Sequence, residues 1–172
     1  MIMTIRKHNE SGRTMLEMLG VLAIMGVIMY GAVAGIQFGI SMYKVNASYN
    51  DLEELSQGII DLYSWSQGFP NDTDAILQAV MDNNVIDRDG FNGGLEGRFG
   101  GSQIDIILGD CEDGRCSKFG LVYQGLDSLA CGRLKNMSYA NLIPLEPGAS
   151  DIPADFVGRT ACETGTVSFI SR

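Results

Sequence analysis

The chain has 172 residues, of which 45% are hydrophobic and only 19% charged, yet its formal net charge is −9. Apolar content at that level excludes a disordered acidic tail. Acidity disfavours nucleic acid as the primary partner, because phosphate binding needs clustered Lys and Arg; 22 Gly and only 4 Pro, with no repeating period, exclude collagen-like or proline-rich fibres.

Residues 1–12, MIMTIRKHNESG, are hydrophilic and hold Arg6, Lys7 and the single histidine, His8. From Met18 to Tyr43 there is no charged residue; Glu17 bounds that stretch on one side and Lys44 on the other. A membrane-spanning helix needs about 20 mainly apolar residues, and Met18 to Ile36 alone supplies 19. Positive charge ahead of a first span holds that end in the cytoplasm and sends the C-terminal part across. An ordinary secretory signal, with Ala32-Val33-Ala34 as its small-residue cleavage site, fits this pattern. An uncleaved anchor fits it too.

A third reading rests on Gly12-Arg13-Thr14-Met15-Leu16-Glu17, followed by Met18-Leu19-Gly20-Val21-Leu22-Ala23-Ile24. This resembles the N-terminal signal of type IV pilins and related pseudopilins. The resemblance implies cleavage between Gly12 and Arg13 by a dedicated prepilin peptidase on the cytoplasmic side, and N-methylation of Arg13. Arg13 stands where that family usually has Phe, Met or Leu. Glycine before a scissile bond has a physical sense, because it readily adopts extended or strained backbone. Glu17 becomes the fifth residue of the mature chain, and the resemblance implies that it pairs with a neighbouring subunit's N-terminal amine in a filament. An ionisable group in the bilayer is costly and usually functional. The alternative for Glu17 is local: Thr14-x-x-Glu17 matches a capping box with Thr14 as N-cap.

The helical pattern does not stop at Ala34. Apolar residues recur at Val45, Tyr49, Leu52, Leu55, Ile59 and Leu62, one stripe of period 3.6, with Asn46, Asn50, Asp51, Glu53, Glu54, Gln57 and Asp61 on a polar face. Gly68-Phe69-Pro70-Asn71 breaks the pattern. One helix from about Thr14 to Trp65 is therefore expected, roughly 75–80 Å long. No compact domain of this size buries such a helix throughout, so its apolar half is expected in lipid or among copies of itself. Gly31, Gly35 and Gly39 form a four-residue-spaced row that permits close helix packing, although Gly is also simply common in membrane helices. Each weakens the helix by up to about 1 kcal/mol relative to Ala, so local unwinding on fibre assembly is expected there.

Beyond the long helix, Asp72 to Ile86 reads as a second helix capped by Asp72 or Thr73, with Ile76, Leu77, Val80 and Met81 on its apolar face. Asp89-Gly90, Asn92-Gly93-Gly94 and Gly100-Gly101 mark turns. Ile104–Leu108 and Phe119–Tyr123 read as strands around a turn from Cys111 to Cys116 that contains Asp113-Gly114. Leu126–Leu134 reads as a third helix and Thr166–Ile170 as a final strand. A helix followed by an antiparallel sheet is an α+β layout. The run from Phe119 to Leu134 also resembles the strand and Cys-bearing helix of type IVb pilins, and this resemblance implies that Cys131 is partnered by Cys162. Cys111 and Cys116 are expected to clip the hairpin turn. Four cysteines allow three pairings, and reduced thiols are the alternative. A translocated domain sits where disulfides persist, and a Cys131–Cys162 bridge closes a loop worth roughly 3–4 kcal/mol. Cys111-x4-Cys116 with Cys131 and Cys162 far off is not a zinc-ribbon spacing, and no His follows His8.

With Arg6, Lys7 and Glu10 removed in the leader, 10 basic and 20 acidic residues remain. Without a histidine, Ser-His and Cys-His catalysis is not expected, and neither a phosphate loop nor an EF-hand spacing is present at Asp110, Glu112 and Asp113. No cofactor and no metal are expected. The expected organisation is a leader at 1–12, an apolar membrane and filament-core half-helix at 13–44, and an α+β pilin-like domain at 45–172. The expected work is structural: a pilin subunit in the bacterial inner membrane before assembly and in a surface filament after it. Its expected partners are itself and other pilins, the prepilin peptidase, an inner-membrane assembly platform and membrane lipid. The alternatives are a type II secretion pseudopilin and, from another class, a soluble periplasmic binding protein released after Ala34.

Overall fold

The computed structural model describes residues 11–85, 95–145 and 162–172, with backbone alone at 11–14 and 163. The chain divides into two compact units, Met1–Ile40 and Ser41–Arg172. The first helix, α1, runs from Ser11 to Tyr63, 53 residues. It starts before Thr14, so Thr14 lies inside the helix and is not its N-cap.

The second unit is α+β. After α1 come β1 (Phe69–Pro70), α2 (Thr73–Asp82), β2 (Leu95–Glu96), β3 (Gln103–Glu112), β4 (Arg115–Gln124), α3 (Ser128–Lys135), β5 (Leu142–Pro144), a 3-10 turn (Cys162–Thr164) and β6 (Val167–Ser171). The strands form one antiparallel sheet in the order β2-β3-β4-β6-β5, with β1 also pairing with β4. Asp72 caps α2 by accepting the N–H groups of Asp74 and Ala75, the satisfaction of orphan donors that an N-cap provides. The helix is shorter than predicted. Asn83 caps its end and Asn84 takes a left-handed φ of 49°, while Ile86 lies outside the described residues, as do the predicted turns at Asp89-Gly90 and Asn92-Gly93-Gly94. Asp127 caps α3 through Ala130, which moves its start to Ser128.

The β3–β4 hairpin turns on Asp113 and Gly114, with φ of 48° and 77°. Two positive φ values make the primed turn whose twist matches paired strands, and Asp-Gly is the pair that tolerates it. Strong pairing carries β3 on to Glu112 and starts β4 at Arg115, longer than the predicted runs. Strand alternation then sorts the side chains. Ile104 faces Tyr123, which faces Val167; Ile106 faces Leu121, which faces Phe169. These rows join Val45, Leu52, Leu55 and Ile59 of α1, Ile76 and Val80 of α2, and Leu134 of α3 in one buried core. On the opposite face Leu145 and Ile170 form a small second cluster with Ile107. Asp51 departs from the predicted polar face: it is buried.

Candidate functional site

In the first unit, the described side chains from Met15 to Ile40 are all exposed. Leu16, Leu19, Leu22, Ile28 and Ile36 each leave more than half of their surface open. This is the only segment among the described residues that is long and apolar enough to cross a membrane. Single exposed apolar side chains are ordinary, but a mainly apolar surface of this extent marks an interaction surface. Glu17 is exposed within it, and Gly12 and Arg13 lie in the first turns of α1. A Cβ placed on Gly31, Gly35 or Gly39 would meet nothing within 4 Å. These glycines are therefore not demanded by packing inside the chain, and α1 runs through all three without a break.

In the second unit, a polar cluster forms where the charge-free run ends. Lys44 Nζ lies 5.9 Å from the centroid of the Phe99 ring, a cation–π distance. Arg98 donates from Nε to Asp51 Oδ2 at 2.8 Å and from Nη2 to Asp51 Oδ1 at 2.7 Å. That hydrogen bonding, together with the carboxylate charge, holds the guanidinium above its ordinary pKa. The Arg98 backbone N–H donates to Tyr123 Oη at 2.8 Å, and Ser48 Oγ lies 3.0 Å from the same hydroxyl. Gly97 must be glycine: a Cβ would collide with Ser102 Oγ and the Tyr123 ring. Arg98, Phe99 and Tyr123 were not singled out by the sequence, which has no local signal for partners 47 residues apart.

The structure pairs Cys111 with Cys116 and Cys131 with Cys162. The first bridge joins directly opposed residues of β3 and β4; the second ties α3 to the turn before β6. Near α3, Tyr139 packs between Tyr49 and Phe169 with ring centroids 4.9 and 4.8 Å away, and donates to the Leu134 carbonyl at 2.9 Å. Burial raises the Tyr139 pKa, and the neighbouring Tyr49 and Glu53 add to the rise. Among the described residues, no three His, Cys, Asp or Glu side chains converge as a metal set. At the far end of α1 the Trp65 side chain is 98% exposed. No protein-family model matches this chain, and no curated protein sequence matches it.

Proposed function

We propose that the chain is a structural subunit of a type IV pilus-like filament, matured by cleavage between Gly12 and Arg13 and assembled through the apolar half of α1. The observation that carries this reading is the continuity of α1 from Ser11 to Tyr63. One helix joins a leader-like junction, a charge-free exposed segment and the buried core of an α+β domain. Cleavage after Ala34 instead would divide α1 and leave Phe38, Ile40 and Tyr43, each at least half exposed, as an apolar stub on a soluble domain. A single subunit leaves that surface to water, whereas lipid or neighbouring helices cover it. Before assembly, the same segment anchors the subunit in the inner membrane, with the acidic domain translocated.

In this reading Glu17 is the one charge inside the apolar packing. An unpaired carboxylate there is strongly unfavourable, and the amine freed at Arg13 of another copy neutralises it. The prepilin peptidase, an assembly platform and other pilins are the partners that the reading requires. Mass spectrometry of the mature chain tests it. Arg13 as the first residue, with or without added methyl mass, supports the filament; Gly35 as the first residue refutes it. Electron microscopy of surface fibres in a strain lacking the chain then separates a pilus from a secretion pseudopilus.

A further inference from the structure

Lys44 is the first charged residue after Glu17, and both lie on the same helix. The helical rise places Lys44 about 40 Å beyond Glu17 along α1, close to the roughly 40–45 Å thickness of a bilayer with its headgroup layers. A span that enters the membrane at Glu17 therefore brings Lys44 to the far headgroup layer. Tyr43 beside it is 70% exposed. A tyrosine ring next to a long cationic side chain is the pairing that settles at a membrane–water interface, apolar body inward and polar tip outward.

The loop between β2 and β3, residues 97–102, meets α1 at this level. Lys44 Nζ stands over the Phe99 ring, and Tyr43 is close enough to Arg98 to act on its charge. The loop is held from within. The Phe99 N–H donates to Ser102 Oγ at 3.1 Å, Ser102 Oγ donates to the Phe99 carbonyl at 2.6 Å, and the Gly97 N–H donates to the Ser102 carbonyl at 2.8 Å. A loop fixed in this way binds with little further ordering. Asp51, nearly buried, engages Arg98 through Nε and Nη2, and the Nη1 donors have no partner among the described residues. Arg98, Phe99 and Gln103 line a cavity of about 180 Å³ in which Glu96 is the one acidic residue. That is below the roughly 300–1,000 Å³ of small-molecule sites, but it has room for a single phosphate group. Lys44 and the Nη1 end of Arg98 thus offer donors to an anion where the apolar run ends, and anionic headgroups attract cations placed at their level.

We infer that Lys44, Arg98 and the 97–102 loop form a docking surface for the phosphate of an anionic phospholipid headgroup. The inference rests on the membrane stage of the proposed function, not on leader cleavage or filament assembly. Gly100 is exposed and a Cβ there meets nothing within 4 Å, so Gly100→Trp in a Trp65→Phe background puts a single indole on the loop. The full chain is reconstituted into vesicles of equal parts phosphatidylcholine and phosphatidylglycerol, with and without a phospholipid carrying a nitroxide on its headgroup. The nitroxide is expected to quench the loop indole strongly. It should hardly touch Trp65 of the unmodified chain, which lies about 30 Å beyond Lys44. Quenching of the loop indole is expected to fall by roughly half in Lys44→Glu, which leaves the Arg98–Asp51 bonds in place, and likewise when phosphatidylglycerol is left out. Flotation of the chain with the vesicles is measured alongside. A chain that does not float overturns the membrane stage and the inference with it. A chain that floats with its loop indole quenched no more than Trp65 overturns the inference alone, as does quenching that either change leaves intact.

Discussion

Arg98 grips Asp51 at two points across 47 residues of sequence, Nε to Oδ2 and Nη2 to Oδ1. The Asp51 side chain is only 8% exposed, whereas the Arg98 side chain is 40% exposed. Solvent screens the arginine end, so the pair is worth less than a fully buried one. Arg98→Ala removes two charge-assisted hydrogen bonds from the nearly buried acid and is expected to cost about 1–2 kcal/mol. Arg98→Lys recovers only part, because an ammonium does not reproduce the fork. Urea unfolding followed by near-ultraviolet circular dichroism measures both; full recovery by lysine contradicts the two-point geometry as the source of stability.

The two disulfides are expected to differ in worth. Their sequence separations are 31 and 5 residues, which in the chain-entropy relation correspond to about 4 and about 2 kcal/mol. Cys131 is also fully buried in the core, so its loss removes packing too. The Cys131→Ala/Cys162→Ala double variant should therefore melt well below Cys111→Ala/Cys116→Ala. Equal melting temperatures would count against this ordering.

Tyr139 sets an alkaline limit. Its folded-state pKa is raised, chiefly by burial, above the unfolded value of about 10. Its contribution is fully present below that pH. As pH rises past it, the unfolded phenol loses its proton while the folded one keeps it, and stability falls by about 1.4 kcal/mol per pH unit. Tyr139→Phe loses the hydrogen bond to Leu134, about 1 kcal/mol, but also loses that slope. Unfolding midpoints of the two proteins should converge as pH rises above about 10; parallel curves would show that Tyr139 does not titrate differently on folding.

The glycine row separates monomer from assembly. In one chain a Cβ on Gly35 meets nothing within 4 Å, so Gly35→Val should leave the folded domain and its melting temperature unchanged. Close helix packing tolerates only small residues, so under the filament reading proposed above, fibres on the cell surface should be sharply reduced. Abundant fibres from this variant would remove Gly35 from the packing interface.

What the sequence revealed follows from the range of its signals. Period 3.6 from Val45 to Leu62 exposes the core side of α1, and Asp113-Gly114 between apolar runs exposes the hairpin. β1, β2 and β5 hold two or three residues each, too few to show alternation, and they become strands only because a partner edge is already present. Phe69-Pro70, read as a helix breaker, is both a breaker and a strand. Asp51 was placed on the polar face because periodicity records apolar positions and carries nothing about Arg98. The apolar half of α1 was legible as composition.

The position of β6 governs the timing of the fold. β5 precedes it in the chain, yet β5 joins the sheet only through β6, which lies between β5 and β4. All five residues of β6 are buried, and Cys162, which stands just before it, clasps α3 only when that segment arrives. Everything up to Pro144 thus emerges with its sheet incomplete and its long-range bridge open. If the domain crosses a membrane as proposed, such delay lets it lock after passage, when the strand that completes it has been delivered to the far side.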